Sequence, residues 1–191
     1  MSLTTGDSIA LIGIILMFTM LYVSYPFAVG ENNGIDALYA TLSVKRSTVV
    51  LGRYLFALVL DVCGGLFAYL FTAVIWTVLG KEFNARESLA VTLAIFGIYS
   101  VMQAIQLPIF FKLGYMKAKF LAYLPLAGMP LLVVIFSNLL KDVISFEQIT
   151  DLVGWFAKNP AVAILLGVVL WCLVIGFSYR ISVSHYAKRD L

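Results

Sequence analysis

Residues 48–79 read TVVLGRYLFALVLDVCGGLFAYLFTAVIWTVL and contain only two charged side chains, Arg53 and Asp61. A helix needs roughly 20 mostly apolar residues to cross the hydrocarbon core of a bilayer, and this run exceeds that length. At about 1.5 Å per residue it would reach roughly 48 Å, against a hydrocarbon core near 30 Å. We therefore predict a membrane-spanning helix over about 53–79, with the turns before it outside the hydrocarbon.

The composition of the whole chain agrees with this stretch. Of the 191 residues, 62% are hydrophobic and 12% are charged, whereas a soluble domain has roughly 45–50% and 25%. This composition excludes a soluble globular domain and a disordered chain. Two cysteines are too few for a secreted disulfide scaffold, and a net charge of +3 with scattered cations does not suit nucleic-acid binding. An all-α integral membrane protein is expected.

Four further apolar segments are long enough to span the bilayer, at about 8–29, 88–111, 120–140 and 161–179. The first lacks a basic leader and is too long for the core of a signal peptide, so it is interpreted as a span. We therefore predict one transmembrane domain over 1–191, a bundle of five helices. The segment between the last two spans contains a capping-box pattern at residues 145–148, followed by apolar residues at helical spacing. This pattern predicts an outer helix that is interfacial or re-entrant.

The distribution of basic residues predicts the orientation, because Lys and Arg are enriched in cytoplasmic loops. Nine of them fall on one side of the five-span map and four on the other. The C-terminus is therefore expected in the cytoplasm and the N-terminus outside.

The connection between the first two spans carries a short amphipathic pattern over about 32–45. Its apolar residues fall at i, i+3, i+4 and i+7, which places on one helical face Ile35, Leu38, Tyr39 and Leu42. Such a helix can lie in the plane of the membrane interface. It can also insert its apolar face into a groove on a partner protein.

This connection resembles the cytoplasmic coupling segment of small ABC-2-type permeases, the membrane subunits of bacterial ABC exporters. The resemblance rests on Glu31, the amphipathic helix, the turn LSVKR at 42–46, and the pairs Val49-Val50 and Arg53-Tyr54. Two features depart from the family. Ser43 stands where the family has proline in the turn, and the family has six spans where five are counted here.

The resemblance implies that the apolar stripe fills a groove on an ABC ATPase, with rim contacts from Glu31, Asp36 and Arg46. It further implies two ATPase copies, a homodimer or a pair with a related permease, and a bacterial plasma membrane location. ATP and magnesium would bind to the ATPase, and no cofactor to this chain. The expected function is ATP-driven export of an amphipathic peptide or another hydrophobic cargo.

No catalytic motif accompanies these features. The sequence contains no phosphate-binding loop of the Gly-x-x-x-x-Gly-Lys-Ser/Thr type, and its one histidine, His185, excludes a His-based zinc site. We therefore expect neither an enzyme nor a metal site. The alternative function is a non-transport membrane sensor or assembly protein whose cytoplasmic helix docks a different partner.

Polar residues within the spans are candidates for a substrate pathway. Asp61 is the one acid within a span. Because a charged side chain in hydrocarbon is energetically costly, such a residue is a candidate for a functional role. It could attract a cationic cargo, or it could form a structural ion pair with Arg53. A polar stripe on the third span either packs between helices or lines a pathway, and comprises Tyr99, Gln103 and Gln106.

Small residues recur every four positions along the second span, at Gly64, Ala68 and Thr72. Small residues let two helix backbones approach closely. This stripe is expected either at the seam of a homodimer or in packing within one chain.

Overall fold

The computed structural model describes residues 3–124 and 159–189, and in this part of the chain helices are joined by short turns with no strand between them. Residues 115–124 are helical and are called α6. The other helices are α1 (Leu3–Tyr22), α2 (Tyr25–Asn32), α3 (Ile35–Thr41), α4 (Arg46–Val78), α5 (Ala85–Leu113) and α7 (Pro160–Ala187).

Four helical stretches are long and apolar enough to cross a membrane: Ser8–Asn32, Arg46–Val78, Ala85–Leu113 and Ala161–Ala187. They coincide with four of the five predicted spans, so the prediction of an all-helical, multi-pass membrane protein is confirmed. The span predicted at 120–140 lies mostly outside the described residues, and the outer helix predicted from 145 onwards lies entirely outside them. The count of five spans therefore stays a prediction.

One face of α4 is buried and the remainder is exposed. The buried residues recur every three or four positions, as one face of a helix requires: Val50, Tyr54, Ala57, Asp61, Gly65, Ala68, Thr72 and Trp76. The exposed positions between them are also apolar and include Leu55, Phe67 and Val74. An apolar outer surface is stable against lipid hydrocarbon, which explains why the sequence is hydrophobic all round this helix.

Helix α5 lies at the centre of the described bundle, in contact with α1, α4 and α7, while α1 also packs against α4. At one end of the bundle an aromatic cluster joins α2 to α5. The ring of Phe27 stacks on Phe110 with centroids 5.1 Å apart and meets Phe111 edge-on at 5.0 Å. This cluster fixes the position of α2, and with it the turn that leads into α3.

The small-residue stripe on α4 packs against α1 of the same chain. A Cβ atom added to Gly64 would lie 2.2 Å from Cγ2 of Thr19, so the two helices approach closely at this point. Ala68 is fully buried beside Ile12 and Leu16, and Thr72 is also fully buried. Of the two roles expected for the stripe, packing within one chain is the one that this geometry displays.

Candidate functional site

The predicted amphipathic segment forms a short helix, α3. Helix α2 ends at Asn32, the chain turns at Gly34 with a φ of +63°, and α3 follows. The predicted apolar stripe is divided between two environments. Leu38 and Leu42 expose 53% and 63% of their surface, whereas Ile35 and Tyr39 are half-buried. Leu38 on α3 and Leu42 in the turn after it therefore form an exposed apolar patch.

The first charged residue of α3, Asp36, binds the C-terminal end of α7. The hydroxyl of Tyr186 donates a hydrogen bond to Oδ1 of Asp36 at 3.1 Å. The guanidinium of Arg189 forms an ion pair with Oδ2 of Asp36 at 3.5 Å. Asp36 therefore ties α3 to the end of the last helix.

Arg46, the first residue of α4, caps the same end of α7. Its Nη1 donates to the carbonyl oxygens of Tyr186 at 2.8 Å, Ala187 at 2.7 Å and Arg189 at 3.0 Å. The last carbonyls of a helix have no partner within the helix, and their dipoles favour a positive charge. Arg46 therefore stabilises the end of α7 and joins it to the start of α4.

Glu31, near the end of α2, binds the start of α6. Its Oε2 accepts hydrogen bonds from the backbone N–H groups of Tyr115 and, at 3.3 Å, Met116. A carboxylate is favoured at a helix N-terminus, where backbone N–H groups are unpaired. Gly114 permits this approach, because its φ is +76° and an added Cβ would lie 2.8 Å from both Glu31 Oε2 and Arg189 Nη2.

These contacts form what we call the polar junction, made of Glu31, Asp36, Arg46, Gly114 and Arg189. It gathers the ends of α2, α5 and α7 and the starts of α3, α4 and α6 at one end of the bundle. The three charged residues expected at the rim of a partner's groove bind within the chain, and their contact with a partner stays a prediction. Asp36 links α3 to the end of α7, and Glu31 links the end of α2 to the start of α6.

Asp61 lies deep in the bundle at 3% exposure, and its hydrogen-bond partners are neutral. Gln103 Nε2 donates to its Oδ1 at 2.7 Å, and the hydroxyls of Thr19 and Ser100 lie 3.3 Å from its oxygens. The expected ion pair with Arg53 is not formed. The Arg53 guanidinium instead lies over the ring of Phe27, 5.0 Å from its centroid.

The other two residues of the predicted polar stripe are placed differently. The hydroxyl of Tyr99 donates to the carbonyl of Gly13 at 3.3 Å, which ties α5 to α1. Gln106 is fully buried, and neither polar atom of its side chain has a hydrogen-bond partner among the described residues. Only Gln103 of the three therefore cooperates with Asp61.

A cavity of about 320 Å³ lies between α4, α5 and α7, with Asp61 and Gln103 in its wall. Three aromatic residues also line it: Tyr54, Trp171 and Tyr179. The contribution of α7 was missed by sequence reasoning, because its apolar residues do not indicate which face turns inward. Its polar residues did carry a signal, since two serines lie one helical turn apart on α7. Ser178 and Ser182 bind the Tyr54 hydroxyl at 2.6 and 2.8 Å.

Comparison with known families agrees with this arrangement. The family model of ABC-2 family transporter proteins matches residues 1–187. The chain belongs to the ABC-2 transporter family. No curated protein and no solved structure matches it significantly. The ABC-2 family is one of multi-pass membrane permeases that work with an ABC ATPase in general, so the predicted family is confirmed, and the coupling role of the segment stays a prediction.

The ABC-2 chain shows no metal site in the part that the structure describes, since no three His, Cys, Asp or Glu side chains gather there. Membership in a permease family, and not in an enzyme family, agrees with the expectation that it catalyses no reaction itself. Its candidate functional elements are therefore the exposed leucines of α3, the polar junction and the cavity beside Asp61.

Proposed function

We propose that this ABC-2 chain is the permease subunit of an ATP-driven exporter in a bacterial plasma membrane, with its C-terminus in the cytoplasm. Two copies of a separate ABC ATPase bind the nucleotide and magnesium, and two permease chains, identical or related, form the pathway. The cargo is an amphipathic peptide or another hydrophobic molecule. We propose further that the chain is related to the permease of the phenol-soluble modulin exporter, which would make the cargo a peptide.

The placement of α3 is the observation that carries this proposal. Its Leu38 and, in the turn directly after it, Leu42 are exposed, while its Asp36 holds the end of α7. An amphipathic helix that offers two adjacent leucines fits a hydrophobic groove on a partner. A helix lying on lipid headgroups would need no rigid ties to other helices, whereas Asp36 ties α3 to the end of α7 and Glu31 ties the preceding helix, α2, to α6.

The polar junction supplies the mechanical part of the proposal. When the ATPase groove moves, α3 moves with it, and the bonds of Glu31 and Asp36 carry that displacement to α6 and α7. Arg46 adds the start of α4 to the same unit, since it holds the last carbonyls of α7. The helices that wall the cavity would thus move together rather than one at a time.

Co-purification tests this function directly. The chain is purified from its native membrane in mild detergent, and its partners are identified by mass spectrometry. We expect a stoichiometric ATPase that carries a phosphate-binding loop. Leu38→Asp, and equally Leu42→Asp, should abolish this association while leaving membrane insertion unchanged, because a charge cannot enter an apolar groove without cost.

The matched control is Asn32→Asp, which adds the same charge at an exposed position outside the apolar stripe. It should leave the ATPase bound. Recovery of the chain with a partner that lacks a phosphate-binding loop would overturn the exporter and favour a sensor or assembly role. Retention of the ATPase by both leucine variants would overturn α3 as the docking helix.

A further inference from the structure

The cavity between α4, α5 and α7 combines an apolar lining with one acid. Its volume of about 320 Å³ lies at the lower end of the roughly 300–1,000 Å³ that holds a drug-sized ligand. Leu55 and Cys172 in its lining are exposed, so the cavity opens on the side of the bundle. A ligand dissolved in the lipid could enter it there.

The charge of Asp61 sets this cavity apart from an ordinary gap between helices. A carboxylate buried in apolar surroundings is costly unless a positive charge accompanies it. Its closest partner, Gln103 Nε2 at 2.7 Å, is a neutral amide. Arg53, the cation nearest along the same helix, lies against Phe27 instead. Among the described residues that line the cavity, none supplies the positive charge that this acid favours.

The aromatic side chains of the lining suit the same kind of ligand. Trp171 and Tyr179 both line the cavity from α7, and aromatic faces attract cations. Tyr179 is held edge-on against Tyr54 at a centroid distance of 5.6 Å, which keeps both rings at the wall.

We propose that this cavity binds a lipophilic cation, with Asp61 as its counter-ion and Trp171 and Tyr179 as its aromatic contacts. This deepens the proposed function by naming the cargo class as molecules that join an apolar body to a positive charge, and in that respect it rests on that function. Binding itself needs no ATPase. Failure of the binding test below and failure of ATPase co-purification are therefore separate results.

The first test uses two probes of the same shape and opposite charge. Binding of radiolabelled tetraphenylphosphonium and, in separate samples, of radiolabelled tetraphenylborate to the purified full-length chain in detergent is measured by equilibrium dialysis. We expect saturable binding of the cation and much weaker binding of the anion. Asp61→Asn should weaken the binding by at least about tenfold, because it removes the counter-ion and retains the shape.

Matched variants separate this charge from general effects. Glu82→Gln removes one negative charge at an exposed position and should leave the affinity unchanged. Trp171→Leu should weaken binding by about threefold, while Trp171→Phe should keep most of it, because an aromatic face remains. Equal binding of the two probes, or unchanged cation affinity in Asp61→Asn, would overturn the proposal and indicate a gap that accepts any apolar body, such as a lipid chain.

The second test places the ligand through the two native cysteines and needs no change at Asp61. Cys172 lines the cavity, whereas Cys63 is exposed on α4 two residues after Asp61, roughly 200° round the helix. In the Cys63→Ser protein, tetraphenylphosphonium should slow alkylation of Cys172 by a maleimide severalfold. In the Cys172→Ser protein it should not slow alkylation of Cys63. Protection of both cysteines, or of neither, would place the cation outside the cavity and overturn the assignment.

Discussion

Arg46 Nη1 donates to the carbonyl oxygen of Ala187 at 2.7 Å, so the first residue of α4 holds the last residue of α7. Two further carbonyls, of Tyr186 and Arg189, accept from the same nitrogen. This contact gives Arg46 a role inside the chain, and its expected contact with the ATPase stays a prediction.

Arg46→Ala should therefore destabilise the isolated permease. Hydrogen bonds that involve a charged group contribute about 1.5–3 kcal/mol, and the end of α7 would lose its cap. The apparent melting temperature in detergent, followed by fluorescence-detected size-exclusion chromatography, should fall. Lys45→Ala is the control, because Lys45 is an exposed cation next to it and makes no side-chain cap. If Arg46→Ala melted at the wild-type temperature but no longer bound the ATPase, the main role of Arg46 would be contact with the partner.

Comparing alanine variants of Gly114 and Gly34 separates the effect of close packing in the polar junction from the effect of backbone conformation. Both have positive φ, +76° and +63°, so alanine meets a backbone penalty of about 1–2 kcal/mol at either position. Only at Gly114 would the new Cβ meet other atoms, Glu31 Oε2 and Arg189 Nη2 at 2.8 Å. We expect Gly114→Ala to lower the free energy of unfolding by about 1–3 kcal/mol more than Gly34→Ala. If urea unfolding showed equal losses of unfolding free energy for the two variants, the polar junction would accommodate the added methyl group without losing stability.

The backbone conformation of Ser43, in the turn after α3, is incompatible with the proline that the family has at this position. Its φ is +54°, whereas proline is restricted to about −65°. Ser43→Pro should therefore disrupt the turn and lower the melting temperature. Ser43→Gly should raise stability by about 1 kcal/mol, since glycine adopts a positive φ freely. Ser43→Ala keeps the Cβ and should change little; a gain as large as that of glycine would refute backbone strain as the cause.

The sequence predicted four of the observed candidate spans, the amphipathic segment and the family, because each depends on local periodicity or on a contiguous motif. It did not predict the junction, whose members are distant in the chain: Arg46 and Arg189 are 143 positions apart. Helical spacing suggested that Arg53 and Asp61 would pair, but it could not show that the aromatic ring of Phe27 would hold Arg53. The neutral partners of Asp61 likewise come from other helices, with Thr19 and Gln103 each 42 positions away.

The contact of Gly64 with Thr19 predicts a destabilising variant that a second change should rescue. In Gly64→Ala the new Cβ would overlap Thr19 Cγ2, because only 2.2 Å separates them, and α1 would move away from α4. We expect a loss of about 1–3 kcal/mol in the free energy of unfolding. Gly97→Ala serves as the control, since nothing lies within 4 Å of its added Cβ in the described part of the chain.

Thr19→Ser supplies the rescue, because it removes the methyl group and keeps the hydroxyl that bonds the Leu16 carbonyl and approaches Asp61. The Gly64→Ala/Thr19→Ser double variant should recover most of the stability lost by Gly64→Ala alone. A double-mutant cycle built on urea unfolding in detergent gives the coupling energy directly, and groups in contact commonly couple by about 0.5–3 kcal/mol. Additive effects would mean that α1 and α4 do not meet at these two residues, and the small-residue stripe would then be free to face a second permease chain.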